Sequence, residues 1–300
     1  MNPVVYTVQQ LINAVSLGSL YALVAVGLSM VFGILRMTNF AHGDMMMVGA
    51  FATLLLGATG LPFGWAVLGG IVFGALAGVL VERTAYRPVR GAPDVTLLLT
   101  SLAVTYILEN LGILLFSSSP QNFPLPDWLN GSFQFLDGTI TFTQINVLTV
   151  ALTGASLALL GWFVTRTDVG LGMRAAAEDL GAAHLVGLNV NGLIVSAFAI
   201  ASAFAGLAGV LWAAQSGIVQ YNMGFTPLLK AFVAAIIGGF GSIAGALIGG
   251  YLLGALEVAI VAFLPDAVSP YRDALVFALL IAFLLFRPRG LLLRTAEAKL

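Results

Sequence analysis

Long apolar runs without charged residues dominate this chain. The run from Leu11 to Leu35 holds no charged residue, and it exceeds the ~20 residues that a helix needs to cross about 30 Å of hydrocarbon. Charged residues make up only 8% of the chain, whereas soluble domains contain about a quarter. The sequence therefore predicts an all-α polytopic membrane protein, with residues 1–300 forming a single transmembrane domain.

Further apolar runs give a predicted count of eight or nine spans. The run from Ala231 to Leu264 is anomalous, because as one helix it would extend about 51 Å, well beyond the membrane. The cluster from Gly238 to Ser242 should break it into a broken or re-entrant helix pair. The other runs are Met45 to Leu61, Trp65 to Val81, Val95 to Phe116, Ile145 to Thr165, Leu193 to Ala213, and Ala274 to Phe286 with the residues just before it.

Glycines at four-residue spacing predict close contacts between helices. Small residues on one face allow two helix backbones to approach, and we favour this role over contacts with a substrate. The glycines concerned are Gly70, Gly74 and Gly78, then Gly241, Gly245 and Gly249, with Gly250 and Gly254 offset by one.

Basic residues predict the orientation of the chain. Cytoplasmic segments of membrane proteins carry an excess of Lys and Arg, and three segments hold most of the 12 basic residues here. We therefore expect residues 166–191 to form a cytoplasmic loop, residues 117–144 to form an external loop, and the N-terminus to lie outside. Because no Lys or Arg precedes Arg36, we do not expect a signal peptide with a positively charged start. The three segments contain Arg83, Arg87 and Arg90, then Arg166 and Arg174, then Arg287, Arg289, Arg294 and Lys299.

The predicted external loop 117–144 contains a β-hairpin pattern. Residues alternate from Phe133 to Phe142 around Asp137-Gly138, a dipeptide typical of hairpin turns. The loop either covers helix ends or forms a docking surface for an extracytoplasmic partner, together with a second external segment from Ala214 to Lys230.

Several kinds of chemistry lack their residues in this sequence. Neither Lys230 nor Lys299 follows a glycine, so no phosphate-binding P-loop is present, and the HExxH and GxSxG motifs are absent. The chain has no cysteine, and His42 with Asp44 lacks the third ligand that a metal site requires. We therefore predict no catalytic residue, no metal site and no nucleic-acid partner, the last because the net charge is −1.

Polar residues inside the apolar runs are candidates for a translocation pathway. Transporters place discontinuous helices at a substrate site, where helix ends and unwound carbonyls can face a zwitterion such as an amino acid. Two alternatives stay open: an Asn/Asp cap before Met45, and glutamates that simply bond to neighbouring helices. The candidate pathway residues are Asn39, His42, Asp44, Glu109, Gly239, Gly241, Ser242 and Glu257.

The polar segment 166–191 interrupts two apolar runs. Its alanines, followed by Glu178 and Asp179, predict a short helix, and Gly187 supplies a stop signal. Such a helix on the surface of a membrane protein favours binding to another protein.

Three stretches resemble the branched-chain amino acid ABC permease family, specifically its H-type Liv permease subunits. They are INAVSLGSLYALVAVGLSMVFGILRMTNFAHGDMMMVGAF, RAAAEDLGAAHLVGLNV and KAFVAAIIGGFGSIAGALIGGYLLG. The resemblance implies the ABC importer permease fold in a bacterial inner membrane. It also implies a second homologous permease subunit, two cytoplasmic ABC ATPases and a periplasmic amino-acid-binding protein as partners. No cofactor is expected on this chain, since ATP and Mg would be used by the partner subunits.

The resemblance also implies a role for segment 166–191. It would be the coupling helix that contacts the ATPase, with Ala177, Glu178, Ala182, Ala183 and Gly187 in the motif. Asp179 follows Glu178 where the family pattern has alanine, so both acidic residues are candidates for the ATPase contact. A urea or short-amide permease of the same family is the alternative, and a passive channel would not need a coupling helix.

Overall fold

The computed structural model describes residues 3–135, 139–265, 271–286 and 290–291. Arg287, Arg289, Arg294, Lys299 and the Asp137-Gly138 turn lie outside these residues. The described helices are α1 Pro3–Leu35, α2 His42–Ala58, α3 Phe63–Val81, α4 Asp94–Phe116, α5 Gln144–Arg166, α6 Asp168–Glu178, α7 Leu180–Leu185, α8 Val190–Ser216, α9 Phe225–Gly238, α10 Ile243–Phe263 and α11 Arg272–Phe286. The short strands are β1 Gln121–Asn122, β2 Ser132–Phe135, β3 Ile140–Thr143 and β4 Ile218–Val219.

The helical architecture is that of a membrane protein, as predicted. In the described part of the chain, 6 helices are long and apolar enough to cross a bilayer, and α2 and α9 are shorter apolar helices. The six include α1, α4, α5, α8 and α10, and α3 extended to Val89 through a π-turn and a 3₁₀ turn. Helix α11 has 15 residues. The count of eight or nine spans stays a prediction.

Helices α1 and α8 form the centre of the molecule. Both are mostly buried, whereas α4 and α5 leave most of their surface exposed. Helix α1 packs against α8, α9 and α10, and α8 packs against α2 and α3. The centre is therefore built by helices from both halves of the chain, and α4 and α5 lie at its edge.

Glycine stripes form the contacts between these helices, which confirms their predicted packing role. A Cβ at Gly74 of α3 would lie 3.0 Å from the Ser202 carbonyl oxygen of α8. Gly250 and Gly254 lie against the backbone of α1, at Ala22 and Gly18. Larger residues at these positions would push the helix pairs apart.

The predicted break in the run from Ala231 to Leu264 is confirmed. Helix α9 ends at Gly238 and α10 begins at Ile243, and between them Gly239 and Gly241 have φ of +108° and +89°. Side chains other than glycine rarely adopt such values. The two helices pack against each other, with Gly249 of α10 against the carbonyl of Ala234 in α9. The break converts one over-long helix into a helical hairpin.

Three structural features lie at the N-terminal end of α1. Strands β2 and β3 pair antiparallel with Phe133 opposite Phe142, so the predicted hairpin is confirmed. Gln9 of α1 bonds to both backbone groups of Thr141, at 2.8 Å each. Strand β1 pairs with β4, which joins loop 117–144 to the segment after α8. That segment is shorter than predicted, because α8 continues to Ser216 and α9 already begins at Phe225.

The predicted coupling segment lies at the opposite end of α1. A cleft there is lined by Leu35 and Arg36 from α1 and the link after it, and by Glu178 and Gly181 from α6 and α7. Arg90 donates a 2.6 Å hydrogen bond to Asn191 and also pairs with Glu82. Two of the basic segments therefore meet at one end of the molecule, and loop 117–144 lies at the other. Which end faces the cytoplasm stays a prediction.

Candidate functional site

The link between α1 and α2 is held by side chains from other helices. Asn39 is buried, and its Oδ1 accepts a 2.7 Å hydrogen bond from the Tyr86 hydroxyl. The Phe40 amide donates to Ser101 Oγ of α4 at 2.5 Å. Ala41 is the N-cap of α2, without a side-chain capping bond. The alternative of an Asn/Asp cap is therefore wrong, because Ala41 holds the N-cap position and Asp44 lies inside the first turn of α2.

His42 and Asp44 lie in the first turn of α2 and are buried, with 0% and 4% of their surfaces exposed. The His42 ring packs so closely on α1 that a Cβ at Gly27 would lie 2.9 Å from it. Within the described residues, no hydrogen bond of regular geometry reaches the His42 ring nitrogens or Asp44 Oδ2, and their nearest polar neighbours are the Val24 backbone and the Thr105 side chain. Leaving such a group unpartnered costs roughly 1–3 kcal/mol, which makes this turn a candidate functional site.

Helix α4 supplies the polar neighbours of Asp44. Thr105 lies beside Asp44, and Glu109, one turn further along α4, interacts with it electrostatically. Thr105 Oγ1 is also buried beside the Asp44 carboxylate, without a hydrogen bond of regular geometry among the described residues. The structure therefore brings together two predicted pathway residues, Asp44 and Glu109, and adds Thr105, which the sequence did not single out. We call Asp44, Thr105 and Glu109 the acidic site.

Glu257 belongs to a different group of charges. Its Oε1 pairs with Lys230 Nζ at 2.8 Å and with Arg272 Nε at 3.1 Å, and its Oε2 accepts a 2.7 Å hydrogen bond from the Tyr21 hydroxyl. Lys230 also pairs with Asp273 at 2.9 Å. We call these five residues the ion cluster; they join α1, α9, α10 and α11. Glu257 thus fits the alternative of a buried glutamate that bonds to neighbouring helices.

Sequence reasoning missed most of the ion cluster. It assigned Lys230 to an external segment, whereas Lys230 lies inside α9 and is 3% exposed. A signal was present, because a lone lysine directly precedes an apolar run that contains a lone glutamate. Opposite charges on two antiparallel helices of one hairpin favour pairing.

The polar groups of the helix break bond to each other and to α1. The Gly241 amide donates to Ser29 Oγ of α1 at 3.1 Å, and Ser242 Oγ accepts from the Gly245 amide at 3.1 Å as the N-cap of α10. No hydrogen bond or ion pair among the described residues joins this break to the acidic site or to the ion cluster. The eight predicted pathway residues therefore fall into separate places: Asn39, His42, Asp44 and Glu109 around the start of α2, Gly239, Gly241 and Ser242 in the helix break, and Glu257 in the ion cluster.

The predicted coupling segment contains two helices, so the prediction of a single helix is wrong. Asp179 separates α6 from α7 with an extended backbone, φ −154° and ψ 110°, and its Oδ1 accepts from the Ala182 amide at 3.0 Å. Aspartate at this place ends one helix and caps the next. The predicted stop at Gly187 is confirmed, since its φ is +84° and the Leu188 amide bonds to the Ala183 carbonyl.

The coupling segment has a buried and an exposed side. Ala183 is buried and Ala177 half-buried, whereas Glu178, Asp179, Ala182 and Gly187 are exposed. Two apolar side chains at the end of α7 are also exposed, with Leu185 at 86% and Val186 at 75%. The cleft between the Asp179 break and the end of α1 has a volume of about 360 Å³. The exposed side combines apolar and acidic groups on one short segment.

A family model covers nearly the whole chain. The model described as "Branched-chain amino acid transport system / permease component" matches residues 10–284. The chain belongs to this family of permeases. The resemblance seen in the sequence is confirmed, and both the acidic site and the coupling segment lie inside the matched residues.

Two relatives of this permease match along its full length. The high-affinity branched-chain amino acid transport system permease protein BraD of Pseudomonas aeruginosa is 36% identical over 312 residues and covers 100% of both chains. Permease protein LivH of the same kind of system in Escherichia coli (strain K12) is 37% identical over 308 residues, with 98% of each chain covered. Among solved structures, PsaBC from Streptococcus pneumoniae in complex with Fab covers 92% of this permease and 91% of that chain. Its TM-score is 0.52 at 17% identity, so it shares the fold.

Proposed function

We propose that this permease carries branched-chain amino acids across the bacterial inner membrane into the cell, as a subunit of a binding-protein-dependent ABC importer. The observation that carries the proposal is the full-length match to permease proteins whose names state that transport activity. The urea or short-amide alternative finds no support in those relatives.

The importer requires partners that provide energy and substrate. The proposal includes a second homologous permease subunit, two cytoplasmic ABC ATPases and a periplasmic amino-acid-binding protein. ATP and Mg would be used by the ATPases, and this chain would bind no cofactor. The largely exposed helices α4 and α5 provide surface for lipid and for the second permease.

Energy would enter through the coupling segment, α6 and α7. Its exposed Leu185 and Val186 fit an apolar cleft on the ATPase, and Glu178 extends into solvent beside them. Asp179 already caps α7 through Ala182, so we assign the acidic contact to the ATPase to Glu178. Thr167 alone separates α6 from α5, which lets a displacement of α6 tilt α5 directly.

Transport would follow alternating access. ATP binding closes the ATPases and moves the coupling segment, and the helices joined to it switch the pathway between its two openings. At the other end, loop 117–144 and the residues after α8 would receive the loaded binding protein, and the pairing of β1 with β4 joins these two segments.

Gly187 gives a sharp test of the coupling assignment. A Cβ at Gly187 would meet no atom within 4 Å in this chain, so a larger side chain there has room unless a partner covers it. We expect Gly187→Trp, in vesicles reconstituted with the whole complex, to lower leucine uptake at least tenfold while ATP hydrolysis continues. Radiolabelled leucine uptake and phosphate release measure the two activities.

Gly187→Ala is the matched control. It imposes a similar backbone strain of about 1 kcal/mol at positive φ, but it adds only a methyl group. Uptake by the alanine variant should stay near that of the unaltered complex. Equal uptake by the two variants would rule out the ATPase contact at Gly187. Failure of the unaltered complex to import leucine, isoleucine or valine would instead overturn the proposed substrate.

A further inference from the structure

An apolar slot lies between α2 and α4, next to the acidic site. It has a volume of about 380 Å³, and all of its lining side chains are apolar. Met47, Phe51 and Leu55 of α2 face Leu108, Gly112 and Phe116 of α4. The Phe51 and Phe116 rings stack at 4.1 Å between centroids, which places an aromatic wall at the end of α4.

Gly112 sets the width of the slot. A Cβ there would lie 2.8 Å from Met47 Sδ and 3.3 Å from Tyr221 Cβ. Helix α4 has few neighbours and leaves most of its surface exposed, so α2 and α4 touch at few places, among them Gly112 and the acidic site. The slot is therefore a defined cavity between two helices that are not tightly packed along their lengths.

The acidic site lies one helical turn from the slot on both helices. Asp44 precedes Met47 by three residues and Phe51 by seven, which places all three on one face of α2. Thr105 precedes Leu108 by three residues and Gly112 by seven, which gives the same arrangement on α4. A ligand with a cationic end and an apolar end, about one helical turn apart, would fit both parts together.

We propose that this slot and the acidic site form a binding site for a branched-chain amino acid during its passage. The α-ammonium group would bind Asp44 with Thr105 and Glu109, and the branched side chain would occupy the slot. This inference rests on the proposed function, and it names the contacts that distinguish substrates by size. It also gives the buried Asp44 carboxylate a cationic partner, which no described residue supplies.

A second apolar cavity in the structure provides a comparison for the proposed binding site. The cavity between α1 and α5 is larger, at about 600 Å³, and is lined by Leu11, Val15, Val147, Val150 and Ala151 among others. Its lining has no charged residue, like that of the slot, but α1 and α5 also contain no Asp or Glu near it. It lacks a group that would bind an ammonium ion, so it serves as the internal control for the proposed site.

The test fills each cavity by the same amount. Ala52 lines the slot and Ala151 lines the control cavity, so Ala52→Leu and Ala151→Leu are matched variants. Uptake of leucine and of valine is measured in vesicles that contain the whole complex and its binding protein. We expect Ala52→Leu to lower the ratio of leucine to valine uptake by about tenfold, the effect of one methylene group in an apolar site. Ala151→Leu should leave the ratio unchanged.

Gly112→Ala provides a smaller second variant in case Ala52→Leu fails to assemble. Its added methyl group meets the flexible end of Met47, and it should lower the same ratio in the same direction. A ratio that stays unchanged in both slot variants, or an equal loss of leucine and valine uptake, would overturn the inference; a lipid chain in the slot would give the equal loss. If the unaltered complex imports none of these amino acids, the proposed function fails, and the site assignment fails with it.

Discussion

The acidic site and the ion cluster contain equally buried carboxylates in opposite situations. Glu257 is 2% exposed and Asp44 is 4% exposed. Glu257 bonds to side chains on three other helices, two of them cationic, whereas no cation among the described residues pairs with Asp44. Burying a charge costs several kcal/mol unless it is paired. We therefore expect Glu257 to act in the packing of the helices, and Asp44 is the carboxylate to which the proposed site assigns a cationic ligand.

The surrounding helices explain this difference. The ion cluster lies where α1, α9 and α10 pack closely, and Lys230 and Arg272 balance Glu257 and Asp273. The acidic site lies against α4, which is mostly exposed, and its two carboxylates have no paired cation among the described residues. The paired carboxylate thus lies among closely packed helices, and the carboxylate without a cation lies beside the more exposed helix α4.

The largest effect is expected when the ion cluster loses Lys230. Lys230→Met leaves Glu257 and Asp273 with Arg272 as their remaining cation in the described cluster, and breaking a buried pair in this way should cost about 3 kcal/mol. We expect a clear fall in the melting temperature of the purified permease, measured by thermal unfolding in detergent.

The double variant Lys230→Met with Glu257→Leu is the control for this comparison. It removes both charges and leaves Arg272 with Asp273, and replacing a complete buried pair by apolar residues is often neutral. The double variant should therefore recover most of the lost stability. If the single variant unfolds at the same temperature as the unaltered protein, the ion cluster does not stabilise the fold.

At the acidic site, we expect a smaller change in stability and in the opposite direction. Asp44→Asn keeps the shape of the side chain but removes a charge that has no cationic partner in the described chain. We expect the melting temperature to stay unchanged or to rise, while leucine uptake falls about tenfold, because a charge-assisted bond to the ammonium group is worth roughly 1.5–3 kcal/mol.

Co-purification of the ATPases with the Asp44→Asn variant separates transport from assembly. The variant should retain its ATPases in full. Loss of assembly would mean that Asp44 has a structural role like that of Glu257, and the contrast between the two sites would disappear.

Much of the fold could be predicted from the sequence, because run length and glycine content act locally. The excess length from Ala231 to Leu264 required a break, and Gly239 and Gly241 could adopt the backbone angles that a break needs. The strand pairing between Phe133 and Phe142 followed from the alternation of residues around the Asp137-Gly138 dipeptide. The division of the coupling segment at Asp179 was missed, because an aspartate inside a run of helix-forming residues is equally compatible with a cap between two helices.

The candidate site was less predictable, because it depends on which helices become neighbours. Glu109 and Glu257 both lie within apolar runs of the sequence. Only the packing of the helices shows that Glu109 lies near Asp44 and Glu257 near Lys230. Thr105 had no local signal, since threonine is common in membrane helices. The slot is defined by two separate helices, and no single segment could have indicated it.

The smallest change in stability is expected at Tyr21, the uncharged member of the ion cluster. Tyr21→Phe removes one hydrogen bond to Glu257 and keeps the pairs with Lys230 and Arg272, so the carboxylate remains partnered. Hydrogen bonds between membrane helices contribute about 1 kcal/mol or less, and we expect a loss of that size in thermal unfolding. Tyr251→Phe is the matched control, because its hydroxyl bonds at 3.0 Å to the uncharged Ser19 of the same helix α1. The loss should be greater for Tyr21→Phe, since its bond ends on a charge. If both variants lose the same stability, the charge of Glu257 does not strengthen its hydrogen bond with Tyr21. Glu257 would then differ from Asp44 only in how many partners it has.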